Sequence, residues 1–111
     1  MNTRDISKIF PEGKLIKPNK HDRYVQKLVR QLRPDYDSIS THLKLEKKKR
    51  VIGEVDIIAW RGNELHLFEV KCSYRIVKAR KQLSKLKRIF NSYDTTCFFY
   101  CGAGDKLVEV C

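Results

Sequence analysis

Apolar residues recur at helical spacing in two stretches of the chain. Val25, Leu28, Val29 and Leu32 form the first stripe and predict a helix from about Lys20 to Leu32. Asn19 is placed to cap it, Asp22 stands in the first turn where a carboxylate suits the helix dipole, and Pro34 stops it. The second stripe is Ala79, Leu83, Leu86, Phe90 and Tyr93, which predicts a helix over 77–93 with one apolar seam. Between the stripes the period changes to two. Ile39, Thr41, Leu43 and Leu45 alternate with polar residues and predict a strand over 38–45. A second strand is expected over 53–60 and a third over 65–72, separated by Arg61-Gly62-Asn63-Glu64, whose residues tolerate positive φ and read as a turn. Two further strands, 96–101 and 107–110, flank the turn Gly102-Ala103-Gly104-Asp105. The order α-β-β-β-α-β-β, with no internal repeat, predicts an α/β fold in which a mixed β-sheet of about five strands is flanked by helices. Residues 1–18 contain Pro11, Gly13 and Pro18 and only scattered apolar side chains. They are expected to be an N-terminal arm, with 19–111 forming one domain.

The third strand departs from its surroundings in one respect. Leu65, Leu67, Phe68 and Val70 make it apolar on both faces, as in a central strand covered on both sides. Glu69 and Lys71 are nevertheless planted in it, two residues apart and so on one face. Charges in such a place are costly unless they are paired, hydrogen-bonded or metal-bound. A hairpin turned at Gly62-Asn63 brings Asp56 of the preceding strand beside Glu69. Two carboxylates and a lysine then converge, either as a structural ion pair or as a site for phosphodiester hydrolysis. In the second reading Asp56 and Glu69 hold Mg²⁺, a hard ion that prefers oxygen ligands, with the Val70 carbonyl as a further ligand and Mn²⁺ as its substitute. Lys71 orients or deprotonates the attacking water or stabilises the transition state. Glu54 shares the face of Asp56 and is either solvated or an accessory ligand.

Charge points to a polyanionic partner. The chain of 111 residues carries 24 Lys and Arg against 13 Asp and Glu, a formal charge of +11. Each phosphate neutralised by such cations releases counterions and adds affinity independent of sequence. Lys47, Lys48, Lys49 and Arg50 immediately precede the second strand and are expected to form a backbone-gripping loop. Lys78, Arg80, Lys81 and Lys85 do the same on the outer face of the second helix. No apolar stretch approaches a membrane span and no apolar leader core is visible at the start, so an intracellular protein is expected. Cys72, Cys97, Cys101 and Cys111 lack zinc-knuckle spacing and read as buried thiols. His21, His42 and His66 do not cluster along the chain and read as surface or packed residues.

The stretch Gly53-Glu54-Val55-Asp56-Ile57-Ile58-Ala59-Trp60, followed after the turn by Leu67-Phe68-Glu69-Val70-Lys71, resembles the active-site hairpin of PD-(D/E)xK nucleases. It is most similar to archaeal Holliday junction resolvases, YraN-like relatives and RecB-like nucleases. The resemblance covers about 20–100 and is tight over 53–72. It implies a restriction-endonuclease-like fold, a Mg²⁺-dependent DNA endonuclease acting on branched or otherwise structured DNA in recombination and repair, and a homodimer. A single-strand or flap nuclease module, or a binding protein that keeps the fold without catalysis, are the alternatives. Gln82 matches a helix glutamine that RecB-like members place near the scissile phosphate, whereas the tyrosine expected four residues later is Leu86. Resolvase-like members carry a Glu on the first helix. Here that helix offers Asp22, as a metal ligand or as a helix-start carboxylate.

Overall fold

The computed structural model describes residues 19–111. The arm expected over 1–18 lies outside the described residues. Helix α1 spans Lys20–Leu32 and runs into a short 3-10 turn, Arg33–Asp35, where Pro34 ends it. Its start is fixed as its sequence implies, because the Asn19 side chain accepts the Asp22 N–H at 2.7 Å. Strands β1 (Ser38–Lys47), β2 (Arg50–Arg61) and β3 (Glu64–Lys71) form an antiparallel meander. Helix α2 (Ile76–Ile89) crosses over to β4 (Asp94–Cys101), which lies parallel to β3, and β5 (Lys106–Glu109) closes the sheet antiparallel to β4. The five strands lie in chain order in one mixed sheet.

The two helices cover opposite faces. Val25, Leu28, Val29 and Leu32 of α1 pack on Ile57, Ala59, Phe68, Val70 and Tyr100. Leu83 and Leu86 of α2 pack on Val55, Ile58, Leu65, Leu67 and Cys97, while Ala79 meets Phe99 and Cys101. With both faces covered, β3 is buried along all but its end residues, which is what its continuous apolar run requires.

Three boundaries differ from the sequence pattern. The basic run is not a loose loop: Lys47 and Arg50 are ladder partners, and only Lys48 and Lys49 turn the chain, at φ 52° and 65°. Paired positive φ values suit the right-handed twist of a tight hairpin. Helix α2 stops earlier than expected. The Phe90 amide bonds back to the Leu86 and Lys87 carbonyls and closes the helix, so Tyr93 leaves the seam and packs edge-on against Trp60. Finally, strict alternation fails within the β1–β2 pair. Ile39 and Ile57 join the α1-side core, but Leu43 and Val55 join the α2-side core. Residues separated by even steps should share a face, so the faces exchange between Thr41–Ile57 and Leu43–Val55, where the ladder skips His42 and Asp56.

Docking of α1 depends on the β4–β5 turn. A Cβ on Gly102 would run into the Tyr24 ring, so only glycine permits this approach. Nearby, Lys27 pairs with Asp105 at 3.6 Å, and the Tyr100 hydroxyl donates to the same carboxylate. These contacts fix the second turn of α1 against the β4–β5 turn.

Candidate active site

The β2–β3 ladder runs from the Gly62 turn to Ile57–Phe68 and leaves Asp56 abreast of Glu69 at its end. There the Val70 N–H donates to the Asp56 carboxylate at 2.8 Å. Asp56 is therefore bonded to the strand that carries Glu69 and Lys71. Lys71 places its ammonium 3.1 Å from Glu69. Asp56 and Glu69 are 8% and 5% exposed, so the two carboxylates share a nearly dry end of the sheet.

Burial is the largest cause of the altered proton affinity of Glu69, and the neighbouring Asp56 charge adds to it. Together they push its carboxyl up to about 7, against the partial relief given by Lys71. Near neutrality the site can thus exchange a proton through Glu69 without a large change in pH.

The first turn of α1 reaches the same place. His21 donates from Nε2 to the Val70 carbonyl at 2.9 Å, and the same nitrogen lies 3.4 Å from Asp56. Because a carbonyl only accepts, that nitrogen carries a proton. Asp22 lies 3.8 Å from His21 and 3.7 Å from His42. Its link to Asp56 runs through His21, which lies 3.4 Å from that carboxylate. His42 has φ 53°, an uncommon conformation for a residue with a side chain and one that clusters at functional positions. Its ring lies 4.0 Å from Glu54. Among the described residues, the donor atoms of His42, Glu54 and Asp56 converge within 4.8 Å of one another, a grouping that omits Glu69.

The residues singled out from the sequence fall into three zones. Asp56, Glu69, Lys71 and Val70 meet at the sheet end. Gln82 and Lys85 border a small cavity of about 120 Å³ with Gly53 and Glu54, on the flank of the site. Lys78, Arg80 and Lys81 are exposed along α2, and Lys47 to Arg50 form the exposed hairpin tip. Arg50 stands six residues before Asp56 on β2, a reach of ~20 Å at the rise of a strand.

Sequence reasoning set aside His21 and His42, and the structure brings both to the carboxylates. A signal for His21 exists in its position beside Asp22 in the capped first turn. His42 has none, because its role depends on where β1 and β2 exchange faces. No protein-family model, no curated protein and no solved structure matches this chain.

Proposed function

We propose that this protein is a metal-dependent nuclease that hydrolyses phosphodiester bonds in DNA at the end of β3, on a restriction-endonuclease-like sheet. The observation that carries the reading is the pairing of Asp56 with Glu69, both nearly buried and joined through the Val70 amide, with Lys71 at 3.1 Å from Glu69. A purely structural ion pair is a poor reason for this arrangement, since apolar residues of similar volume stabilise a core at least as well.

The donors fit Mg²⁺ or Mn²⁺: two carboxylates and the Val70 carbonyl offer hard oxygens, while His21, whose Nε2 carries a proton, borders two of them as a hydrogen-bond donor rather than as a ligand. When bound, such an ion supplies Lewis-acid polarisation of the phosphate and lowers the pKa of water. The chain's own groups do the rest. Lys71 sits where its ammonium can compensate charge that develops on a phosphate oxygen. Glu69, whose carboxyl burial and Asp56 push up to about 7 when no ion is bound, would be held ionised by a bound cation and serve as a ligand. His21 presents an N–H at the Val70 carbonyl and holds the first turn of α1 against the sheet.

Branched DNA cut by a symmetric dimer is the most specific form of this proposal, since two like cuts suit two like subunits. Cleavage of junction, flap, linear duplex and single-stranded DNA, each with and without Mg²⁺, tests it. Cutting that needs Mg²⁺ and is lost in Asp56→Asn is expected; equal cutting of all four substrates would remove structure specificity from the account.

Binding without catalysis is a second reading, favoured by one feature. His21 already occupies the Val70 carbonyl and Lys71 already neutralises Glu69, so the cluster satisfies itself. In that case Asp56→Asn leaves DNA binding intact and there is no cleavage to lose.

A further inference from the structure

Helix α2 has no acidic residue, and its outward side carries Lys78, Arg80, Lys81, Lys85 and Arg88. Among the described residues none of these cations is ion-paired; the ion pairs all lie elsewhere. Such a concentration of unpaired charge of one sign repels itself and favours an anionic occupant.

Apolar groups lie among the cations. Val77 is 63% exposed and Tyr74 is 52% exposed. The Tyr74 ring is held edge-on by Phe99, with centroids 5.3 Å apart, and has the Lys106 ammonium 5.7 Å from its centre. It is therefore an exposed ring fixed in orientation beside positive charge.

Two shallow hollows adjoin on the surface between these groups. One hollow of about 440 Å³ is lined by Tyr74, Val77, Lys78 and Lys81. A second, of about 580 Å³, shares Val77 and Lys81 with it and extends to Lys85 and Arg88. Lys85 also borders the small cavity that reaches Glu54, whose carboxylate belongs to the cluster with Asp56. A path of positive charge thus leads from Tyr74 to the flank of the site.

We propose that the outer face of α2 is a binding track for single-stranded nucleic acid. Tyr74 stacks an unpaired base, and Lys81 and Lys85 take the phosphates that lead toward Glu54. The interleaving of ring and cation decides the class of ligand. A duplex shows its phosphates outward and keeps its bases stacked inside, so it has no use for Tyr74 or Val77, whereas an unpaired strand offers both a backbone and free base faces. The track rests on the nuclease reading for its direction toward the site, and it adds to that reading a preference for substrates with an unpaired segment.

The test is binding of the full chain in EDTA, where no cutting occurs, to a dye-labelled mixed-sequence single strand and to the same strand in a blunt duplex, followed by fluorescence anisotropy. The single strand is expected to bind more tightly. Tyr74→Ala should weaken its binding roughly ten-fold, the scale of one lost base stack, with little change for the duplex, and Tyr74→Phe should bind as the wild type does. Equal affinity for the two forms, or an unchanged single-strand affinity in Tyr74→Ala, would overturn the proposal. So would displacement of the strand by poly-glutamate as effective as that by unlabelled DNA, which would make the face a surface for acidic protein. Binding as expected with no cleavage on addition of Mg²⁺ would sink the hydrolase and leave the track. Cleavage together with an indifferent Tyr74→Ala would do the reverse.

Discussion

A carboxyl buried beside a second carboxylate keeps its proton to higher pH than it would in water, and Glu69 is such a group. Its raised value, about 7 against an ordinary 4.5, makes the folded state bind a proton that the unfolded state has already released. Between those two values the folded chain holds more protons, so its stability falls as pH rises. The total loss across the window is on the order of 3 kcal/mol. Chemical denaturation of the metal-free protein should therefore show lower stability at pH 8 than at pH 5. Glu69→Gln should remove most of that slope, and an unchanged slope would mean that Glu69 is not the titrating group. If the site holds Mg²⁺, the ion favours the ionised carboxylate, and its addition should raise stability most at the alkaline end. His21 acts at the same scale, through one N–H to Val70 that ties the helix to the carboxylate pair.

What carries His21 to that point is the docking of α1, and here the decisive position is Gly102. The Tyr24 ring fills the space a side chain there would need, so Gly102→Ala forces either the helix or the β4–β5 turn to move. A destabilisation of about 1–3 kcal/mol is expected in a thermal or denaturant melt, the usual cost of overpacking; no change would show that α1 shifts freely and does not hold His21 in place. The elements themselves were largely legible in the sequence. The Val25-to-Leu32 stripe, the two-faced apolar run of β3 and the turn at Gly62 follow from local spacing, and the observed helices and strands lie where those patterns put them. Non-local contacts decided the rest. Tyr93 continues the α2 seam in spacing but is claimed by Trp60. The Lys48-Lys49 turn lacks the glycine or asparagine that usually signals a tight hairpin, so its two positive φ values were not visible in advance. Of the site, Asp56, Glu69 and Lys71 could be grouped from strand parity and one turn. His42 could not, because a change of face within β1 and β2 has no local pattern.

Across the whole molecule, the charge excess of +11 is unevenly spent. The hairpin tip at Lys47 to Arg50 and the outer face of α2 present cations, whereas the carboxylates of Asp22, Glu54, Asp56 and Glu69 gather at the sheet end between α1 and β1 to β3. A polyanion held by the basic faces would bring its phosphates up to an acidic cluster that repels them, an arrangement whose sign makes sense when a divalent cation stands between the two. That inference joins the basic surface to the buried pair in a single account. Its most direct test measures cleavage and binding of one labelled DNA by wild type and Glu69→Ala in the same buffer, with Mg²⁺ and with EDTA. The account predicts Mg²⁺-dependent cleavage by the wild type, a loss of at least a hundred-fold in Glu69→Ala on the scale of a lost catalytic group, and binding retained by both. Cleavage by Glu69→Ala at the wild-type rate, or no cleavage by the wild type at any Mg²⁺ concentration while both proteins bind, would contradict it.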